Sequence, residues 1–324
     1  MSADRAVVLL AGKVHPRVRE RVEAEFDALS IDAADAGLLS DETRNRIRGV
    51  AAATRISAEF IDSLPNLEVI ANFGVGYDAV DAAHAATRKV MVTNTPDVLS
   101  DEVADTTVGL LLNTVRELPK AEAYLRAGRW VTEGAYPLTS LTLRGRTIGI
   151  FGLGRIGLEI ARRLEAFGLS IHYHTRTKRS DVAYTWHEKL IDMARAVDTL
   201  VVIVPGGAAT ENAVNADVLA ALGEQGVLIS VGRGSTIDEP ALISALADRT
   251  IAAAGLDVFA DEPNVPQALL DLPNACLLPH VASASVSTRN GMADLVVDNL
   301  REWLAGRPAI TPVPECASFD REAG

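Results

Sequence analysis

The chain has 324 residues, a length at which about two domains are expected. Its 48% hydrophobic and 23% charged residues are globular proportions, which excludes a wholly disordered protein. The net charge of −12 argues against a nucleic-acid or anionic-membrane partner, because either would need a basic face. Two cysteines, Cys276 and Cys316, are too few for a disulfide framework or a cysteine-based zinc site.

The N-terminal sequence MSADRAVVLLAGKVHP has a short apolar run followed by charges, and it lacks the pattern of a secretion signal. No stretch of the chain reaches the roughly 18 uninterrupted apolar residues that a spanning helix needs. We therefore expect a cytoplasmic protein with no membrane partner.

Short apolar runs alternate with helical patterns along the first hundred residues. Strands are predicted over residues 6–10, 67–73 and 90–94, and a helix over residues 16–26. A longer helix is predicted over residues 101–118, with Ser100 as N-cap and Pro119 near its end. Near-continuous apolar strands separated by helices are typical of a parallel sheet covered on both faces.

A second alternating series follows a connection without periodicity at residues 128–142. Its strands are predicted over residues 147–151, 169–174, 199–204, 226–231, 251–256 and 276–278, and a final helix over residues 286–304. The two series predict an α/β protein with two doubly wound parallel-sheet domains and a boundary near residue 100. The pattern does not decide which domain the final helix joins.

A glycine loop connects the first strand of the second series to an amphipathic helix. Gly152, Gly154 and Gly157 form G-x-G-x-x-G, a pattern that is weak alone and strong in this strand–helix context. The glycines permit a tight turn, a close approach of backbone to pyrophosphate, and packing of helix on strand. The start of the helix offers unpaired N–H groups to phosphate, so we expect a dinucleotide site.

The turn after the next predicted strand indicates which dinucleotide binds. Thr175, Arg176 and Thr177 stand where an NAD site usually has an acidic residue, and no Asp or Glu occurs between Glu165 and Asp181. A carboxylate would repel a 2′-phosphate, whereas hydroxyls and a guanidinium bind one. The turn therefore favours NADPH, with NADH possible but weaker; a solvated basic turn is the alternative.

Three further charged side chains follow predicted strands. Arg233 lies in VGRG, Glu262 in GLDVFADEP and His280 in LPHVAS, all at strand ends where open α/β sheets bind ligands. Arg233 can bind a substrate carboxylate bidentately, and protonated His280 can give its proton to a carbonyl that accepts hydride. A nearby Glu262 carboxylate would favour the imidazolium. Taken singly, each could be a surface ion-pair partner, a loop carboxylate or a capping histidine.

These segments resemble the D-isomer-specific 2-hydroxyacid dehydrogenase family, and the likeness covers about residues 40 to 313. The motifs are NFGVGYDAVD (72–81), GLGRIG (152–157), VGRG (231–234), GLDVFADEP (255–263) and LPHVAS (278–283). Within the family the chain is most similar to the NADPH-preferring glyoxylate/hydroxypyruvate reductases and the related hydroxyphenylpyruvate reductases. Two departures are Asp105, where Glu is more usual, and the small residues of PGGAAT at 205–210.

The resemblance implies catalytic roles for three residues. Arg233 would bind the carboxylate and polarise the keto group, His280 would donate the proton, and Glu262 would orient His280. Backbone N–H groups of the loop containing Val75 and Gly76 would receive the substrate carboxylate.

The resemblance also implies a cofactor site. Asp257 would hold the nicotinamide carboxamide. The other implied contacts are Arg155 and Ile156 at the pyrophosphate, Val204, Pro205 and Thr210 at the adenosine end, Val231 in the VGRG segment, and Ala282 and Ser283 beside the nicotinamide. No metal is expected, because His, Cys and carboxylates show no metal-ligand spacing.

The resemblance implies a Rossmann-type cofactor domain inserted into a flavodoxin-like substrate domain, and a homodimer. Residues 1–100 and 284–324 would form the substrate-binding domain and residues 101–283 the dinucleotide-binding domain. The predicted activity is NADPH-dependent reduction of glyoxylate or hydroxypyruvate to a D-2-hydroxy acid. Open alternatives are a non-catalytic dinucleotide sensor and a dehydrogenase for a bulkier keto acid such as hydroxyphenylpyruvate; a formate dehydrogenase ranks low because that branch has Gln at Glu262. Trp130 and Tyr136 could be active-site aromatics or packing residues.

Overall fold

The computed structural model describes residues 5–319, which form twelve strands and thirteen α-helices within that range. The strands are β1 (Val7–Ala11), β2 (Asp27–Ile31), β3 (Ile47–Ala52), β4 (Val69–Asn72), β5 (Met91–Thr93), β6 (Thr147–Phe151), β7 (Ser170–His174), β8 (Thr185–His187), β9 (Thr199–Val202), β10 (Val227–Ser230), β11 (Ala253–Leu256) and β12 (Ala275–Leu277).

The α-helices alternate with most of the strands. They are α1 (Pro16–Glu25), α2 (Asp41–Arg46), α3 (Ala58–Asp62), α4 (Ala82–Thr87), α5 (Ser100–Arg116), α6 (Leu118–Arg126), α7 (Arg129–Glu133), α8 (Arg155–Glu165), α9 (Leu190–Ala196), α10 (Ala216–Leu222), α11 (Glu239–Ala247), α12 (Gln267–Leu270) and α13 (Val286–Leu304). None of these helices is both long enough and apolar enough to cross a bilayer.

The chain divides into two compact units, residues 1–99 with 285–324 and residues 100–284. The first unit contains a parallel sheet of five strands in the order β2-β1-β3-β4-β5. This is the flavodoxin-like strand order. Helix α13 packs against β3, β4 and α1, and it buries Met292, Val296 and Leu300 at four-residue spacing. The final helix therefore belongs to the first unit.

The second unit contains a parallel sheet of seven strands in the order β12-β11-β10-β9-β6-β7-β8. Strand β6 lies between β9 and β7, so the strand order reverses at the point where the glycine loop leaves the sheet. Ligands of open α/β sheets bind at this kind of reversal, beyond the carboxyl ends of the strands. The two sheets confirm the predicted fold class.

Several predicted elements need correction. Residues 128–142, expected to be a connection, contain the short helix α7. Ser100 is the first residue of α5 and not its N-cap. Helix α5 ends at Arg116 because Glu117 is left-handed (φ +51°), and Pro119 lies in the first turn of the next helix, α6, where its missing N–H leaves no hydrogen bond unmade. The sequence interpretation also missed β2, β3 and β8. A 3-10 turn at Pro314–Cys316 follows the final helix.

Candidate active site

The glycine loop after β6 has the geometry of a phosphate cradle. A Cβ on Gly157 would lie 2.2 Å from the carbonyl oxygen of Gly152, so a side chain there would push helix α8 off the strand. Gly152 has φ +104°, and a Cβ there would lie 2.8 Å from Val204 Cγ1. At Gly154, by contrast, a Cβ would meet nothing within 4 Å, so open space lies directly over its backbone. Two glycines are needed for packing and the third leaves room for a ligand.

Helix α8 begins immediately after this open space. Gly154 is its N-cap and has no side chain that could accept from the first-turn N–H groups. Arg155 and Ile156 are the first two helical residues, and Arg155 is exposed. The positive end of the helix dipole and its first-turn donors thus face a cleared space, which fits a pyrophosphate.

The turn after β7 presents a cation to solvent. Arg176 is exposed, and among the described residues it makes no hydrogen bond or ion pair. The Thr175 hydroxyl donates to the Thr177 carbonyl oxygen at 2.7 Å, which closes the turn and leaves the Thr175 oxygen as an acceptor. Of the three predicted residues, Arg176 is therefore best placed to meet a phosphate.

The acidic residues that flank this turn are engaged elsewhere. Asp181 accepts from Arg179 at 3.0 Å, and Arg179 also donates to the Leu153 carbonyl oxygen of the glycine loop at 2.8 Å. Glu165 accepts from the Tyr184 hydroxyl at 2.7 Å. Arg179 thus links the turn to the glycine loop, a contact that the sequence interpretation missed.

The predicted adenosine-end residues lie in the loop after β9. Val204 is buried and Pro205 exposed, and the Thr210 hydroxyl donates to the Pro205 carbonyl oxygen at 2.6 Å. Val231 is buried directly after β10, and Ser283 is half-buried beyond β12. All of these residues belong to the second unit, as the glycine loop does.

His280 and Glu262 form a close pair. The distance between His280 Nδ1 and Glu262 Oε2 is 2.6 Å, and Glu262 Oε1 accepts the backbone N–H of Phe259 at 3.0 Å. Burial raises the pKa of Glu262, but the hydrogen bonds from His280 and Phe259 outweigh it, so the net pKa is below the usual range. Glu262 is therefore a carboxylate at neutral pH and can orient the imidazole, whose Nε2 is left for other partners.

The backbone that follows Arg233 touches the loop that contains Glu262, and this contact keeps Arg233 close to that loop. Its Nη1 donates to the Gly232 carbonyl oxygen at 2.9 Å, and its charge contributes to the lowered pKa of Glu262. A Cβ on Gly234 would lie 1.9 Å from the backbone carbon of Phe259, so the two segments touch through backbone alone. Only glycine permits this approach.

Asp257 fixes the backbone that directly follows His280. Its side chain is fully buried, and its two oxygens accept the N–H groups of Val281 at 2.7 Å and Ala282 at 2.8 Å. Burial raises the pKa of Asp257, and the two backbone hydrogen bonds offset part of that rise. His280 itself has φ +52°, the left-handed region that non-glycine residues rarely adopt. The resemblance implied a cofactor contact for Asp257; the structure adds this structural contact.

The remaining predicted residues belong to other segments of the chain. Val75 and Gly76 are in the loop after β4 of the first unit, and their backbone N–H groups have no acceptor within the described range. Trp130 is 61% exposed, and Tyr136 packs edge-on against Tyr124 in the α6–α7 region. Residues 5–319 contain no group of three or more His, Cys, Asp or Glu side chains arranged to hold a metal ion.

Comparison with known proteins agrees with this geometry. Residues 108–282 match the family model described as D-isomer specific 2-hydroxyacid dehydrogenase, NAD binding domain. The chain is 42% identical over 309 residues to glyoxylate/hydroxypyruvate reductase A of Arabidopsis thaliana, covering 94% of this chain and 98% of that protein. The chain belongs to the D-isomer specific 2-hydroxyacid dehydrogenase family. The resemblance inferred from the sequence motifs is thereby confirmed.

Two further members of the family are informative. The crystal structure of an NADPH-dependent glyoxylate/hydroxypyruvate reductase from Sinorhizobium meliloti, in complex with NADP and malonate, is 61% identical with a TM-score of 0.95. It matches 99% of this chain and 100% of its own. The hydroxyphenylpyruvate reductase of Plectranthus scutellarioides is 47% identical over 256 residues, which is 79% of this chain and 81% of that protein.

Proposed function

We propose that this dehydrogenase uses NADPH to reduce small 2-keto acids, glyoxylate and hydroxypyruvate among them, to D-2-hydroxy acids. The observation that carries the proposal is the His280–Glu262 pair, 2.6 Å apart, beside Arg233 and in the same unit as the glycine loop. An arginine, a histidine and a carboxylate are what the reduction of a 2-keto acid requires. The substrate has an anionic carboxylate and a carbonyl oxygen that gains charge during the reaction.

NADPH, when bound, supplies the hydride that reduces the keto carbon. Arg233 binds the substrate carboxylate and withdraws charge from the neighbouring carbonyl. His280 gives a proton to the carbonyl oxygen from Nε2, because its Nδ1 is held by Glu262. Glu262 fixes the ring orientation and favours the protonated imidazole.

The two units have different roles in this proposal. Residues 100–284 bind the cofactor through the glycine loop, with Asp257 and Ser283 near the nicotinamide and Val204, Pro205 and Thr210 near the adenosine. Arg176 meets the 2′-phosphate, because it is exposed and makes no ion pair with a described residue. The first unit contributes the backbone N–H groups of Val75 and Gly76 to the substrate carboxylate. The cytoplasmic location and the homodimer stay predictions.

Reduction of a bulkier keto acid is the second candidate activity. The 47% identity with the hydroxyphenylpyruvate reductase of Plectranthus scutellarioides supports it. It uses the same proton donor and the same carboxylate anchor, so the two candidates differ only in the side chain that the enzyme accepts.

A substrate panel tests the proposal. Glyoxylate, hydroxypyruvate, hydroxyphenylpyruvate and pyruvate would each be assayed with NADPH and with NADH, and His280→Ala would serve as the control for activity at this site. We expect the highest kcat/KM with glyoxylate or hydroxypyruvate and NADPH, and almost none in the variant. Turnover of hydroxyphenylpyruvate above the two small acids would favour the second candidate, and no turnover with any keto acid would leave a dinucleotide sensor as the better reading.

A further inference from the structure

Two asparagine side chains hold the loop that contains Val75 and Gly76. Asn72 Nδ2 donates to the carbonyl oxygens of Gly74 at 3.1 Å and Gly76 at 3.0 Å. Asn94 Nδ2 donates to the carbonyl oxygen of Val75 at 2.8 Å. Three consecutive loop carbonyls are therefore bound by side-chain amides.

Both asparagines are themselves held in place. Asn72 is 7% exposed at the end of β4, and its two carbonyl partners use both N–H groups of its amide. The backbone carbonyl oxygen of Asn94 accepts from the Thr311 hydroxyl at 2.7 Å. The Thr311 hydroxyl oxygen in turn accepts from the side-chain amide of the fully buried Asn299 at 2.9 Å. The loop is thus connected to the interior of the first unit by a chain of hydrogen bonds.

The held carbonyls determine where the loop N–H groups point. In a planar trans peptide the C=O of one residue and the N–H of the next point in opposite directions. Fixing the Gly74 carbonyl therefore directs the Val75 N–H away from Asn72, and fixing the Val75 carbonyl directs the Gly76 N–H away from Asn94. Neither N–H has an acceptor among the described residues.

This arrangement suits an anion. A flipped peptide would present a carbonyl oxygen in place of an N–H, and that oxygen would repel a carboxylate. The two amides oppose the flip before substrate arrives, together with the Thr95 N–H, which also donates to the Gly74 carbonyl oxygen at 3.0 Å. The ordering of the loop therefore does not have to accompany binding.

We propose that Asn72 and Asn94 are positioning residues that orient the Val75 and Gly76 N–H groups toward the substrate carboxylate. The proposal rests on the proposed function, because it needs a substrate with a carboxylate. It assigns the asparagines to substrate binding and leaves the cofactor and the proton donor to the second unit.

The test uses the full-length variants Asn72→Ala and Asn94→Ala. The measurements are kcat and KM for glyoxylate, Kd for the substrate analogue oxamate in the presence of NADPH, Kd for NADPH alone, and Tm. Asn66→Ala is the matched control, because it removes one asparagine–backbone hydrogen bond, to Asn45, elsewhere in the same unit.

We expect KM for glyoxylate and Kd for oxamate to rise about tenfold in Asn94→Ala, which corresponds to roughly 1.4 kcal/mol. The rise should be smaller in Asn72→Ala, because the Thr95 N–H still holds the Gly74 carbonyl oxygen. Because the loop acts on binding, kcat should change less than about threefold. NADPH binding should stay unchanged, and Asn66→Ala should behave as wild type. If Asn72→Ala does not fold, Asn94→Ala carries the test, since Asn94 is only half-buried and loses a single donated bond.

The possible failures are distinguishable. Wild-type enzyme that reduces no 2-keto acid would overturn the proposed function and this inference with it. Active wild type with variants whose KM and oxamate Kd are unchanged would overturn the inference alone. Equal weakening of oxamate and NADPH, with a lowered Tm, would show that the asparagines stabilise the fold generally and would also overturn it.

Discussion

Replacing Gly234 by alanine should separate Arg233 from the Glu262 loop. The added Cβ would lie 1.9 Å from both the carbonyl carbon and the carbonyl oxygen of Phe259. An ordinary carbon contact is about 3.5 Å, so one backbone segment has to move by about 1.5 Å. The peptide that has to move bears the Ala260 N–H, which donates to the Glu239 carboxylate at 3.2 Å, and the peptide before it bears the Phe259 N–H, which donates to Glu262 at 3.0 Å.

The displacement should reduce activity more than stability. A shift of about 1 Å in a catalytic group costs about a hundredfold in rate, and overpacking costs roughly 1–3 kcal/mol of folding free energy. We therefore expect kcat/KM for glyoxylate to fall about a hundredfold, with a Tm lower by several degrees, measured by steady-state kinetics and thermal denaturation. Gly109→Ala is the matched control, because a Cβ there meets nothing within 4 Å and helix α5 should tolerate it. A Gly234→Ala enzyme with wild-type kcat/KM would refute the argument that this contact sets the distance between the two segments.

Three other substitutions test separate parts of the site. Arg233→Ala should lower kcat/KM by about a hundredfold or more, roughly 3 kcal/mol, since it removes the carboxylate anchor; near-normal kinetics in a folded variant would reject that role. Glu262 has a lowered pKa and is a carboxylate at neutral pH, where it favours the protonated form of the proton donor, so Glu262→Gln should lower kcat/KM for reduction more at neutral pH than at acid pH. An unchanged pH–rate profile in Glu262→Gln would show that Glu262 does not act on the proton donor. Wild type should prefer NADPH over NADH by about tenfold in kcat/KM, and Arg176→Ala should remove most of that preference by harming NADPH alone. Arg162→Ala, on the exposed face of α8, is the control for this substitution. If Arg176→Ala weakens both cofactors equally, the turn does not bind the 2′-phosphate and is only a solvated surface.

The strands that could be predicted are those whose residues are almost all apolar. Strands β1 and β6 are buried along most of their length and read directly as apolar runs. Strand β2 has the sequence DALSI and is half-buried, because it pairs with β1 alone at the edge of the sheet. Strand β8 has three residues at the opposite edge of the second sheet, too few to show a pattern. Edge strands bury less surface, so their sequences constrain them less. Strand β3 (IRGVAA) is buried in the middle of its sheet, and it was missed because Arg48 and Gly49 interrupt its apolar run.

The site residues divide in a similar way. Side chains that act on a ligand stand in short motifs at strand ends, and Arg233, Glu262 and His280 could be recognised there. The contacts that hold the site join residues far apart in sequence, as with Asp257 and Ala282 or Arg179 and Leu153. Such contacts depend on how the strands are ordered and in which register, which a single sequence does not contain.

His280 stands in a recognisable sequence motif, and its position also depends on contacts with residues distant in sequence. Its side chain is set by Glu262, and its own left-handed backbone, which costs roughly 1–3 kcal/mol, is held by the bonds from Val281 and Ala282 to Asp257. A side chain in that conformation leaves the strand end in a direction that the extended backbone does not offer. Because Asp257 is fully buried and accepts two N–H groups, the strained turn persists before any ligand binds. The orientation of the proton donor is therefore built into the folded second unit, and binding energy from the substrate need not be spent on producing it.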